Sequence, residues 1–128
     1  MSYKFILDTY AWIELFNGTE KGKRVFDIIN NHSCASSLLV FFELSDKCFR
    51  DNLDFELYKK YILTKVGIIP LSLSLADTVG ANKSVLRKID TNISLADSIH
   101  YTTARENNAI FVTGDSDFKN VSESVLFL

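Results

Sequence analysis

Ile110-Phe111-Val112-Thr113-Gly114-Asp115-Ser116-Asp117-Phe118 is the stretch on which the reading of this chain turns. A short apolar run is followed by a small hydroxyl residue, a glycine, and two carboxylates one residue apart. The run has the length and composition of a buried strand, and Thr113-Gly114 reads as its exit into a turn. Acids at a strand's exit add little to packing. They are well placed for chemistry, because open sheets hold ligands beyond the carboxyl ends of their strands. The rest of the chain can be read by asking whether it brings more acids to that end.

Upstream, Phe5-Ile6-Leu7 is another short apolar run closed by an acid, Asp8, and reads as a first buried strand. Asp8 or Thr9 can cap a short helix over Ala11–Phe16 that stops near Asn17-Gly18. Thr19 caps a second helix from Glu20 to about Asn30. Val25, Phe26, Ile28 and Ile29 make its apolar stripe, and Lys21, Lys23 and Arg24 are expected to face water. Residues 33–36 suit a short central strand. Ser37 caps a helix over Leu38–Phe49, with Glu43 beside its apolar stripe and Lys47 one turn later. Another helix opens near Phe55. Residues 67–71 read as a strand near a sheet edge, because Pro70 removes a ladder donor.

Ser74-Leu75-Ala76-Asp77 recurs as Ser94-Leu95-Ala96-Asp97. Both copies fit a capping box, with serine at the N-cap and an acid three residues on. They are expected to open helices over 75–86 and 95–107. Residues 109–113 are the strand quoted first, and 125–128 are a last strand at an edge. Strands separated by helical segments predict an α/β fold: a three-layer α/β/α sandwich around a mostly parallel, five-stranded sheet. Right-handed crossovers put the strand exits on one side. Asp8 and Asp115 come within reach if their strands are central neighbours.

With 128 residues, 47% apolar and ten Phe, the chain is expected to form one domain spanning 1–128 and not a disordered segment. Cys34 and Cys48 lack metal-like spacing and read as reduced core thiols. Met1-Ser2-Tyr3-Lys4 lacks a signal-peptide pattern, and no apolar stretch approaches transmembrane length. The expectation is a cytoplasmic protein without a membrane partner. Net charge is −2. Setting aside Asp8, Glu43, Asp97, Asp115 and Asp117, the remainder is formally positive, which suits a polyanionic substrate.

Each of these acids also has a purely structural reading. Asp97 can be only a capping-box acid and Asp8 only a helix cap. Glu43 can be a surface acid paired with Lys47, and Asp115 and Asp117 can be turn residues. Their shared placement favours one cluster. Carboxylates brought together without counter-charge repel and take up protons. Mg²⁺ or Mn²⁺ relieves this, since hard ions prefer oxygen ligands. No His or Cys cluster competes, so zinc is disfavoured.

Asp8-Thr9 after an apolar strand, Glu43 in a helix, Asp97 within Leu95-Ala96-Asp97-Ser98-Ile99, and Val112-Thr113-Gly114-Asp115-Ser116-Asp117-Phe118 together resemble the PIN-domain family. More narrowly, the chain looks like a VapC-type toxin ribonuclease. The resemblance covers essentially the whole chain. It implies Asp8, Glu43, Asp97 and Asp115 as acidic metal-site residues, Asp117 as a frequent further acid, and Thr113 as a supporting hydroxyl. It also implies one or two Mg²⁺ or Mn²⁺ ions and hydrolysis of RNA to 5′-phosphate and 3′-hydroxyl ends. A tRNA or ribosomal RNA target, a homodimer and a small cognate antitoxin follow from the same likeness.

Lys47 and Arg50, one and two turns after Glu43, are the first candidates for substrate phosphates. Tyr10 and Trp12 could stack on a base if exposed, although Trp12 reads rather as a core or dimer contact. His100, at i+3 from Asp97, could hydrogen-bond to it or touch substrate, but reads rather as a peripheral histidine without a chemical role. Other classes compete. A haloacid-dehalogenase-like phosphotransferase would want Asp-x-Asp at the first strand, where position 10 is Tyr. A receiver-like domain would want an acid after the third strand, and 67–73 has none. A catalytically weak RNA- or protein-binding module of the same fold would fail to bind Mn²⁺. A DNA or structure-specific nuclease would be distinguished by competition between matched RNA and DNA.

Overall fold

The computed structural model describes residues 2–122 and 124–128. The chain runs β1 (Phe5–Leu7), α1 (Thr9–Asn17), α2 (Glu20–Asn31), β2 (Cys34–Ser37), α3 (Leu39–Arg50), α4 (Phe55–Lys65), β3 (Gly67–Ile69), α5 (Leu73–Ile89), α6 (Leu95–Glu106), β4 (Ile110–Thr113), a 3₁₀ turn (Ser116–Phe118) and β5 (Val125–Phe127). The five strands form one sheet in the order β3-β2-β1-β4-β5. Every neighbouring pair is parallel. As expected, β3 and β5 are the edges, and β1 and β4 are adjacent.

Strand alternation divides the core into two layers. Phe5, Leu7 and Val112 pack with Trp12, Val25, Val40, Leu44 and Ile62 on the side of α1 to α4. Ile6, Ala35 and Phe111 pack with Leu86, Ile93, Tyr101, Ala104 and Phe118 on the side of α5 and α6. The three-layer expectation therefore holds. Trp12 is fully buried, and its indole N–H donates to Ser36 Oγ at 2.8 Å. That makes it a core residue. Cys34 and Cys48 are buried free thiols.

Several boundaries differ from the sequence reading, each for a local reason. α1 starts at Thr9, with Asp8 as the cap accepting from the Ala11 amide at 2.8 Å. α3 starts at Leu39, one residue late, although Ser37 Oγ still accepts from the Leu39 amide at 3.1 Å. α5 begins at Leu73 and extends to Ile89, because Ser72 is in extended conformation and takes the Leu75 amide. Ser74 lies inside that helix and bonds to Glu106, so its expected capping box is not formed. The copy at Ser94 is a true capping box with Asp97.

α1 and α2 approach closely at Gly22. A Cβ there would lie 2.1 Å from the Glu14 carbonyl oxygen. The clash is with backbone, so only a shift of α2 relieves it. Gly22→Ala is therefore expected to destabilise the fold by about 1–3 kcal/mol, outweighing the helix-propensity gain of up to about 1 kcal/mol. Urea unfolding checks this, and unchanged stability would show that the hairpin yields freely.

Candidate metal centre

Parallel pairing of Leu7 with Val112 puts the exits of β1 and β4 side by side. Asp8 leaves one and Thr113 ends the other. Asp8 is 4% exposed. Burial pushes its carboxyl up to about 6, although His100, the Thr113 hydroxyl and the Ala11 amide favour the ionised form. Asp97 acts in the opposite sense, by repulsion. Thr113 is shared, since its oxygen also accepts from the Asp115 amide at 3.1 Å. One hydroxyl thus ties the first acid to the turn that carries the last two.

That turn brings Asp115 and Asp117 together. Asp115 Oδ1 accepts from the Asp117 amide at 3.0 Å and caps the 3₁₀ turn. Phe118, fully buried against Phe111 and Tyr101, anchors the turn on the core. Asp97 arrives from the first turn of α6. Its Oδ2 takes the Ser94 amide at 3.0 Å and its own amide donates to Ser94 Oγ at 3.1 Å. Asp97, Asp115 and Asp117 each offer a carboxylate oxygen within 4.8 Å of the others. The capping and chemical readings of Asp97 are therefore compatible.

The electrostatics match the crowding. Asp97 is shifted up by burial and by Asp115, against the Ser94 hydrogen bonds and His100. Asp117 is shifted up by partial burial, then by Asp115, Asp90 and Asp97. Among the described residues, none of these three acids forms a salt bridge. Closely set carboxylates without a cationic side chain fit a divalent ion with oxygen ligands.

Glu43 stands apart from that group of three. Its Oε1 accepts from Thr9 Oγ1 at 2.6 Å and lies 2.6 Å from His100 Nε2. Burial would raise its carboxyl, but the His100 hydrogen bond and charge, with Thr9, bring it below the usual range. The alternative reading of Glu43 as a surface acid paired with Lys47 is not met among the described residues, because Lys47 turns to Asp51 at 2.9 Å. Arg50 pairs with Asp46 at 3.3 Å on the exposed face of the same helix. Both candidate phosphate contacts are thus held by acids one turn away.

The structure differs from the sequence expectation at two residues. His100 is 2% exposed and packed between Thr9 and Glu43, so it is not peripheral. Its hydrogen bond goes to Glu43, which spacing from Asp97 alone does not reveal. Lys21 does not simply face water. Its Nζ reaches the Gly114 carbonyl at 3.5 Å and sits 5.7 Å from the rings of both Tyr10 and Phe127. Tyr10 beside it is 37% exposed. No local pattern signals this cation, since Gly114 lies 93 positions away in sequence.

Known structures share the fold. The chain resembles a protein in a toxin–antitoxin complex from Klebsiella pneumoniae, at 22% identity over 96% of both chains and a TM-score of 0.70. It resembles one in DNA-bound VapBC from Salmonella typhimurium at 18% identity, over 100% of this chain and 98% of that one, with a TM-score of 0.73. A third is VapC20 of Mycobacterium tuberculosis, described as a sarcin-ricin loop cleaving toxin. It is 15% identical over 91% and 93% of the two chains, with a TM-score of 0.70. No curated protein sequence matches the chain. At these identities the likeness is one of fold. The sequence decides the family: residues 5–124 match the PIN domain, and the chain belongs to the PIN domain family.

Proposed function

We propose that this protein is a divalent-metal-dependent endoribonuclease of the VapC type, the toxin of a type II toxin–antitoxin pair, with 1–128 as its catalytic unit. The observation that carries the reading is the meeting of Asp97, Asp115 and Asp117 within 4.8 Å, beside buried Asp8, where the two central strands end. PIN membership over residues 5–124 and the toxin folds it resembles support the same reading.

Asp8, Asp97, Asp115 and Asp117 would hold one or two Mg²⁺ or Mn²⁺ ions, with Glu43 contributing one oxygen. When bound, the ions supply positive charge that offsets the carboxylates, acidifies water and stabilises charge on the reacting phosphate. The chain's part is orientation. Thr113 fixes Asp8 and the Asp115 turn together. Hydrolysis replaces the bond from phosphorus to the 3′-oxygen with one to a water oxygen, leaving 5′-phosphate and 3′-hydroxyl ends. Lys21 and Tyr10, which lie beside Gly114, would meet a phosphate and a base next to the cut. Lys47 and Arg50 would serve RNA further along, after exchanging their surface acid partners.

A homodimer and a small antitoxin complete the proposal. Phe42, Phe49, Leu57 and Leu63 on α3 and α4, and Leu73 and Val85 on α5, are large apolar side chains more than half exposed. Exposed apolar surface of this kind suits protein partners. Among the described residues no helix is long and apolar enough to cross a membrane.

The experiment is cleavage of a mixed tRNA and ribosomal RNA pool by protein freed of co-purified antitoxin, with Mn²⁺ or EDTA. Cuts at defined sites, with 5′-phosphate ends and only with metal, are expected. A matched DNA competitor should leave the rate unchanged. Preferential cutting of DNA would move the assignment to a DNA nuclease. Folded protein that fails to bind Mn²⁺ and cuts neither would favour a binding module.

A further inference from the structure

The part-buried contact between His100 and Glu43 differs from an ordinary core hydrogen bond. Thr9 Oγ1, Glu43 Oε1 and His100 Nε2 converge from α1, α3 and α6. An ionised carboxylate has no proton to give. Thr9 and His100 must therefore both donate to Oε1, which fixes the proton on Nε2. Nδ1 is then buried without a hydrogen-bond partner among the described residues. A leucine-like side chain would fill such a site without stranding a polar atom, and native structures seldom leave one unpaired without reason. Meanwhile Glu43 Oε2 forms no hydrogen bond among the described residues.

We infer that His100 is a positioning residue for Glu43: with Thr9 it immobilises Oε1, so that Oε2 is offered to the metal centre in a single orientation. The inference deepens the proposed function and rests on its metal site. His100 is not one of the residues whose ligand atoms cluster at the acidic site. It acts through Glu43, as outer partners of metal-site side chains do. The unpaired Nδ1 offsets part of what the contact with Glu43 contributes to the fold, so the metal-free protein should depend on His100 only modestly.

The test compares His100→Leu, His100→Gln, Glu43→Gln and the double variant His100→Leu/Glu43→Gln as full-length, antitoxin-free proteins. The measurements are melting temperature, Mn²⁺ affinity by titration, RNA cleavage and the proton NMR spectrum without metal. His100→Leu is expected to fold with a metal-free melting temperature only slightly below wild type, yet to weaken Mn²⁺ binding and cleavage about 10–100-fold. His100→Gln, whose amide can donate to Oε1, should recover most of both. Adding His100→Leu to Glu43→Gln should cause no further loss. Wild type should show a downfield imidazole N–H proton that vanishes in His100→Gln and moves in Glu43→Gln.

Unchanged Mn²⁺ affinity in His100→Leu overturns the inference. So do losses that add on the Glu43→Gln background, or a folded His100→Gln as impaired as His100→Leu. If wild type binds Mn²⁺ but cuts no RNA, the ribonuclease reading alone fails, and the Mn²⁺ affinities and the imidazole proton still decide the role of His100. Wild type that binds no Mn²⁺ overturns both.

Discussion

Asp97→Asn is expected to abolish cleavage, by about 10³-fold or more, while leaving the protein folded. The substitution separates the residue's two duties. As the acid of the capping box, Asp97 accepts from the Ser94 amide through Oδ2, and its own amide donates to Ser94 Oγ. An asparagine oxygen can keep the first bond, and the second does not involve the side chain. As one corner of the carboxylate cluster with Asp115 and Asp117, Asp97 supplies charge, which asparagine lacks. A bound ion contributes several kcal/mol of charge stabilisation to phosphoryl chemistry, and about 1.4 kcal/mol is tenfold in rate. Losing a ligand therefore costs decades in rate, whereas the cap costs little. The measurement is single-turnover cleavage with Mn²⁺, beside circular dichroism and melting temperature. Wild-type cleavage by folded Asp97→Asn would remove the residue from the metal site and leave it a helix cap.

Asp8→Asn should do something less usual: stabilise the metal-free protein at neutral pH while abolishing cleavage. Burial raises the Asp8 carboxyl from its ordinary 3.8 to about 6 in the folded chain. Between those values the folded state holds a proton that the unfolded state has released. The sign follows. The stability contributed by this group is fully present below about pH 4 and is lost as pH rises through about 6. Two pKa units at about 1.4 kcal/mol each make the difference about 3 kcal/mol. Asparagine carries no charge to bury and can still accept from the Ala11 amide. Metal-free Asp8→Asn should thus melt higher than wild type at pH 7.5, on the order of 10 °C. The gap should close toward pH 4. Mn²⁺ at pH 7.5 should raise the melting temperature of wild type and barely affect the variant. A variant less stable than wild type at pH 7.5 without metal would show that the Asp8 charge is already neutralised within the fold.

These two residues also show how far the sequence could be read. Both sit where strong local signals end: Asp8 after an apolar run of three, and Asp97 three residues after a serine that opens a helix. A cap and a ligand look the same in sequence, because each is an acid at the start of a helix. Only assembly shows that the capping carboxylate of Asp97 also meets Asp115 and Asp117. The twin at Ser74–Asp77 makes the point from the other side. It has the same local pattern, but Ser72 starts the helix earlier, and among the described residues Asp77 joins no acid cluster.

Local sequence accounts for the strands, their separation by helices, and the three-layer parallel sheet. Those depend on apolar periodicity and capping over a few residues, which the chain carries locally. It also determined which acids leave the carboxyl ends of β1 and β4, since strand direction is fixed once the sheet is parallel. Tertiary structure decided the polar partners. Thr9 and Glu43 are 34 positions apart, Glu43 and His100 57, and Lys21 and Gly114 93. A short-range pattern favoured Lys47 for Glu43, yet Lys47 took Asp51, which was exposed and within one turn. Glu43 was left to the buried imidazole that helix packing placed 2.6 Å away. A half-buried carboxylate takes the donors that the fold supplies, and that choice is made by how α1, α3 and α6 pack.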